Sequence, residues 1–225
     1  MGKNNIRDMK YLGLMLDFGG VILKTPFEMH RLVEKKLGLQ TNTISWYGPF
    51  NPDSDLLWKK MQNDEITEQE YWIEKSRFIG KMIGENWNLR DYMTCCYHGF
   101  SEGDIIRKEA INAIKKVKEY GLSIGILTNE IEYFHGKEWM SNLEILDTVE
   151  YLIDGTNTKI LKPSSKAYKI AIKASRLEAD KIIFIDDQIR NINGAEKVGL
   201  YALHFDVKNP NNAYKKALSL LGISV

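Results

Sequence analysis

A chain of 225 residues can bury one large core, or one core with a smaller accessory unit. With 44% hydrophobic and 27% charged residues it reads as a globular protein rather than a disordered or fibrous one. Lys plus Arg is 31 and Asp plus Glu is 30, a balance that gives no support for binding nucleic acid or a membrane surface.

The chain starts with a polar stretch, Met1-Gly-Lys-Asn-Asn-Ile-Arg-Asp8, that has no apolar leader segment. Gly2 follows Met1, but Ile6 stands where a myristoylation signal has Ser or Thr. Next comes Tyr11-Leu-Gly-Leu-Met-Leu-Asp17-Phe-Gly-Gly-Val-Ile22, an apolar run ending in one carboxylate. Such a run predicts a buried strand with Asp17 at its C-terminal tip, followed by glycines that let the backbone turn close to a ligand.

Thr25, Pro26 and Glu28 predict a capped helix over residues 27–37, with Gly38 as its stop. Residues 41–52 predict a loop and residues 53–61 a helix. Thr67 and Glu70 form a capping box opening a helix through Trp72 and Phe78, and a further helix or two is expected over 87–97. Residues 25–100 are therefore expected to be a helical insertion. It holds Trp46, Trp58, Trp72 and Trp87, which read as bundle core, and the adjacent Cys95 and Cys96. Neighbouring cysteines make neither a bridge nor a separated metal-ligand pair, so both are expected to be free thiols in a reducing compartment. No apolar run reaches membrane-spanning length, and the expectation is a soluble, cytoplasmic protein.

From residue 101 the pattern changes. A helix is predicted over 104–120, then a strand, Ser123-Ile-Gly-Ile-Leu-Thr128-Asn129, and a polar, aromatic helix over 131–142. A strand over 148–153 closes on Asp154-Gly155, and Lys162-Pro163 leads into a helix over 164–175. Lys181-Ile-Ile-Phe-Ile-Asp186-Asp187 is the clearest strand. A helix over 188–198, a strand over 199–205 and a helix over 211–221 complete the chain. Alternating strands and helices predict an α/β fold with a doubly wound parallel sheet, whose ligands sit beyond the carboxyl ends of the strands. The expected division is a Rossmann-like core, residues 1–24 and 101–225, with a helical unit inserted at 25–100.

Asp17, Thr128-Asn129 and Asp186-Asp187 all fall at strand ends, with Lys162 in a loop on the same side if the topology is regular. A strand-tip carboxylate can attack phosphorus or carbon. Asp186, Asp187 and the Gly19 carbonyl can hold Mg²⁺, which prefers oxygen ligands. Lys162 can put a point charge on a transferring group, while Thr128 Oγ and nearby backbone N–H groups bind its oxygens. Each cluster also has a plain structural reading: Asp17 starting a turn, Asp186 and Asp187 capping the next helix, Lys162 as a solvated lysine, Thr128 as a strand or cap residue. Their convergence favours a site.

In order and spacing these clusters resemble the four motifs of the haloacid dehalogenase-like hydrolases: Leu-Met-Leu-Asp17-Phe-Gly-Gly-Val, Ile-Leu-Thr128-Asn129, Lys162-Pro163 and Phe-Ile-Asp186-Asp187. Asn191 falls where the last motif continues, and residues 25–100 resemble a C1-type helical cap. The resemblance implies a phosphatase-like hydrolase acting on a small phosphorylated molecule through a phospho-aspartyl intermediate on Asp17. It implies Mg²⁺ held by Asp17, the Gly19 carbonyl and Asp187, with Asp186 assisting and Asn191 behind them. Thr128, Asn129, Lys162 and Gly20 would surround the phosphate, and the cap would close over the substrate and choose it.

One position departs from the pattern. Two residues after the nucleophile such phosphatases carry a second Asp, which protonates the leaving alcohol; here it is Gly19. Three readings follow. The first is a phosphatase with an easier leaving group, such as an anomeric sugar phosphate, or with a replacement acid from His30, Glu28 or His98. The second is a metal-free 2-haloacid dehalogenase, whose halide needs no proton. The third is a binding or regulatory protein on the same scaffold.

Overall fold

The structure, a computed structural model, describes residues 9–224. The polar start read above for leader and myristoylation signals, residues 1–8, lies outside the described residues. Two compact units divide the chain. One takes the chain up to Leu23 and again from Glu102; the other is Lys24–Ser101.

The first unit is built on a five-stranded sheet: β1 (Gly13–Leu16), β2 (Ser123–Thr128), β3 (Tyr151–Asp154), β4 (Ile182–Asp186) and β5 (Tyr201–His204), in the order β3-β2-β1-β4-β5. Every pairing is parallel. The α/β, Rossmann-like fold class expected from the alternation is the one observed. β1 lies between β2 and β4 and is buried along its whole length, which is why Gly-Leu-Met-Leu shows no polar alternation. Register then places the strand tips. Leu16 pairs with both Ile126 and Ile185, so Asp17 stands level with Asp186 and one residue short of Thr128. On one face Met15, Leu127 and Phe184 pack with Ala167, Tyr168, Ala171 and Ala195 from the flanking helices Ser165–Ser175 and Ile189–Glu196.

Two predicted helices are broken in the structure. The one expected over 104–120 is a short turn, Glu102–Ile105, and then Lys108–Glu119. Ile106 leaves the helix to form an antiparallel bridge with Leu23, and the Arg107 backbone N–H donates to the Ile22 carbonyl at 2.9 Å. The one expected over 131–142 is divided into Ile131–His135 and Lys137–Ser141 by Gly136, whose φ of 84° a right-handed helix cannot hold. The last helix, Pro210–Leu220, starts one residue earlier than expected.

The second unit contains the helices Pro26–Lys36, Leu56–Gln62, Glu68–Met82 and Leu89–Tyr97. Thr67 with Glu70 forms the expected capping box; Thr25 caps its helix as expected and also forms a box with Glu28, and Asn88 with Asp91 forms a third. Trp46, Trp58 and Trp72 are buried with Phe27, Tyr71 and Tyr92, whereas Trp87 is half-buried. Inside this aromatic core Asp55 accepts from the Lys75 ammonium at 2.9 Å and the Tyr71 hydroxyl at 2.6 Å, so the buried charge is paired and hydrogen-bonded. Cys95 and Cys96 are free and buried, and burial pushes both thiols above their ordinary range. No described helix is long and apolar enough to cross a membrane.

Candidate active site

At the carboxyl edge of the sheet the chain turns sharply after β1. The amides of Ile22 and Leu23 both donate to the Phe18 carbonyl, at 3.0 and 2.8 Å. Gly20 takes φ = 73° inside this turn. The Asp17 carboxylate stands at the head of the turn, where its Oδ1 accepts from the Phe18 amide at 2.7 Å.

Lys162 reaches across from the loop before the helix Ser165–Ser175. Its ammonium lies 2.9 Å from Asp17 Oδ1 and 2.6 Å from Asp186 Oδ2. The side chains of Lys162 and Asp186 are 1% and 0% exposed, so this bridge is not a screened surface pair. Asp186 is held further by the Gln188 amide at 2.8 Å and by Asn191 Nδ2, at 3.0 and 3.1 Å from its two oxygens. Burial pushes the Asp17 carboxyl up to about 7, against the pull of the Lys162 ammonium. Burial also works against the charge on Lys162, but Asp17 and Asp186 outweigh it and the net shift is upward.

Asp17, Asp186 and Asp187 each present one carboxylate oxygen within 4.8 Å of the others. This donor set suits Mg²⁺, a hard cation that takes oxygen ligands. The backbone is shaped for it: a Cβ on Gly20 would stand 2.6 Å from Asp187 Oδ2. At Gly19 a Cβ would meet nothing within 4 Å, so that position is open.

Thr128 is buried at the tip of β2. The Asn129 amide is engaged twice with the backbone of Lys162: Oδ1 accepts from the Lys162 N–H at 2.7 Å, and Nδ2 donates to the Lys162 carbonyl at 3.2 Å. The Asn129 side chain thus clamps the loop that carries the lysine.

Of the residues considered as substitute acids, His30 is 1% exposed inside the helical unit, and burial pulls it down to about 4. At that value the ring is neutral near pH 7 and is no general acid there. The Glu28 carboxylate is taken up by the Thr25 amide and hydroxyl, at 2.8 and 2.9 Å.

Sequence reasoning did not find Arg107 and Tyr214. Arg107 Nε donates to the Gly20 carbonyl at 2.9 Å, and the Tyr214 hydroxyl donates to the Val21 carbonyl at 3.0 Å. Neither lies in a motif, and no spacing in the sequence links positions 87 and 193 residues apart.

The model of the family described as haloacid dehalogenase-like hydrolase matches residues 52–204, more than half of the chain. The chain belongs to the haloacid dehalogenase-like hydrolases. Asp17 and its strand lie ahead of the matched span, so their place in the site rests on the register and distances above. The hydrolase is 21% identical over 216 residues to acyl-CoA dehydrogenase family member 10 of Mus musculus, covering 94% of this chain and 19% of that protein. It is 30% identical over 93 residues to the glyceraldehyde 3-phosphate phosphatase of Pyrococcus abyssi, covering 40% of this chain and 38% of that one. The chain thus aligns with well under half the length of either relative. Its fold is that of the HAD-hydrolase YfnB from Bacillus subtilis, a structure bound to magnesium: TM-score 0.69, 15% identity, 95% of this chain and 100% of the other covered.

Proposed function

We propose that this hydrolase cleaves small phosphate monoesters with the help of Mg²⁺, through a phospho-aspartyl intermediate on Asp17. The observation that carries the reading is the buried Lys162 ammonium between Asp17 and Asp186, with the Asp187 carboxylate beside them. Three carboxylates so close repel one another; one ammonium offsets one of the three charges, and a divalent cation offsets the other two. The phosphatase from Pyrococcus abyssi and the magnesium-bound Bacillus subtilis structure agree with this chemistry.

Asp17 attacks phosphorus through a carboxylate oxygen while the bond from phosphorus to the leaving oxygen breaks and that oxygen keeps the electron pair. Lys162 draws charge from the transferring group and holds Asp17 in the attacking position. In this reading Thr128 Oγ and the Gly20 amide bind phosphoryl oxygens. Asn129 fixes the Lys162 loop, and Asn191 with the Gln188 amide orients Asp186. Asp17, the Gly19 carbonyl and Asp187, with Asp186 assisting, would hold Mg²⁺, which would supply Lewis-acid charge to the phosphoryl oxygens when bound. Water then attacks phosphorus, the bond from phosphorus to the Asp17 oxygen breaks with its electron pair returning to the carboxylate, and phosphate leaves carrying the water's oxygen and protons.

Gly19 brings no proton to the leaving oxygen. The favoured substrates are therefore esters whose leaving group is weakly basic, such as a sugar phosphorylated at its anomeric carbon. Choice among them falls to the helical unit Lys24–Ser101. The glycine also supports a second reading, a binding protein of reduced activity on the same scaffold.

The test is a panel of sugar phosphates, nucleotides, p-nitrophenyl phosphate and 2-chloropropionate, each with and without Mg²⁺. Magnesium-dependent phosphate release that is lost in Asp17→Asn supports the proposal. Release that persists in this variant removes the nucleophile assignment. Chloride release without metal selects the dehalogenase, and no turnover with tight binding of a partner selects the scaffold reading.

A further inference from the structure

The turn that follows the nucleophile presents consecutive carbonyls at Gly20, Val21 and Ile22. Each is taken by a donor from a distant part of the chain: Gly20 by Arg107 Nε at 2.9 Å, Val21 by the Tyr214 hydroxyl at 3.0 Å, Ile22 by the Arg107 backbone N–H at 2.9 Å. Arg107 is buried at the N-terminal boundary of the helix Lys108–Glu119, and Tyr214 is buried in the helix Pro210–Leu220. The Arg107 guanidinium lies over the Phe205 ring, 5.4 Å from its centroid, and Phe205 in turn packs its edge on Tyr214 with centroids 5.5 Å apart. The two donors therefore belong to one packed assembly.

A buried guanidinium and phenol are costly to desolvate, and both are spent on the same few peptide groups. Peptide planes are rigid, so fixing the carbonyls of Gly20, Val21 and Ile22 fixes the turn on the downstream side of Gly19. Gly19 and Gly20 have no side chains to hold them, and the hydrogen bonds from Arg107 and Tyr214 replace that missing packing.

We infer that Arg107 and Tyr214 are positioning residues, which hold the Gly19–Ile22 turn so that the Gly19 oxygen and the seat for Asp187 keep the geometry that a divalent cation needs. The inference rests on the magnesium phosphatase reading and adds to it a part of the site supplied by the C-terminal helix.

The experiment is titration calorimetry of Mg²⁺ alone into the full chain, for wild type, Tyr214→Phe, Arg107→Met and Arg107→Lys, with melting curves for each. Tyr214→Phe removes a single oxygen and keeps the packing, so it reports even if the arginine variants fold poorly. The expected result is weaker Mg²⁺ binding by folded protein: about threefold or more for Tyr214→Phe and about 10–100-fold for Arg107→Met, the range seen when groups behind metal ligands are removed. Arg107→Lys should recover part of the loss, and kcat should fall more than KM rises. A purely structural role would lower the melting temperature and leave the Mg²⁺ affinity of folded protein unchanged; that outcome overturns the inference. Wild-type protein that does not bind Mg²⁺ at all removes the phosphatase reading, and the inference with it.

Discussion

The Asp187 carboxylate occupies the space that a side chain on Gly20 would need: an ideal Cβ there falls 2.6 Å from Oδ2 and 3.0 Å from Cγ. The glycine is required twice, because its φ of 73° is also a left-handed value. Gly20→Ala should therefore cost about 1–2 kcal/mol of backbone strain and move Asp187 out of the acidic cluster. A melting curve reads the first effect. Calorimetry reads the second as a loss of Mg²⁺ affinity of about tenfold or more; unchanged affinity would separate Asp187 from the cation site.

Lys162→Met leaves Asp17 and Asp186 facing each other without the ammonium between them. Breaking one side of a buried pair costs about 3–5 kcal/mol, and the variant should melt well below wild type. Added Mg²⁺ should raise its melting temperature more than it raises that of wild type, since the cation replaces charge the variant lacks. Phosphate release should fall by at least about 100-fold, in the range of a lost group that stabilises the transition state.

In Gly19→Asp the new Cβ enters open space, with nothing within 4 Å of it. The introduced carboxyl group supplies a proton donor two residues after Asp17. Turnover of simple alkyl phosphates should rise by about 10²–10⁴-fold, with a smaller gain for aryl or anomeric phosphates that leave unaided. Equal gains for all classes, or none, would show that leaving-group protonation does not limit this enzyme.

His30 predicts an acid-sensitive helical unit. Both ring nitrogens are buried without a hydrogen-bond partner, and the ring packs against Phe27, Trp46 and Tyr47. Burial pulls the imidazole down to about 4 from an ordinary 6.5, with Glu34 and Asp55 opposing and Arg31 and Lys75 reinforcing the shift. The unfolded chain therefore takes up the proton first as pH falls. The stability involved is complete above about pH 6.5 and is lost on the way down to about 4, on the order of 3 kcal/mol in all. His30→Leu should flatten the fall in unfolding free energy between pH 7 and 5 relative to wild type; parallel curves would refute the assignment.

How much of this was readable in the chain depended on distance. Asp17, Thr128, Lys162 and the Asp186-Asp187 pair could be found because each ends a strand or opens the next helix, and a parallel sheet gathers such ends. The Thr25 cap and the Thr67–Glu70 box were legible because three residues suffice to form them. The break at Ile106 was not, since helical periodicity continues through it and only pairing with Leu23 interrupts it. The resemblance puts Asn129 near phosphate; the bonds of its amide to the Lys162 backbone, 33 residues away, have no local signal. Arg107 and Tyr214 carry no local signal at all.

The Leu23–Ile106 bridge has an evolutionary reading as well. It joins the chain just before the inserted segment to the chain just after it, within the sheet-bearing unit, so to that unit everything in between is a loop whose ends are already tied. The entropy of closing such a loop grows only with the logarithm of its length. Insertions of very different size can be exchanged at this point at nearly constant cost to the sheet, which makes the position a natural grafting junction beside an unchanged Asp17.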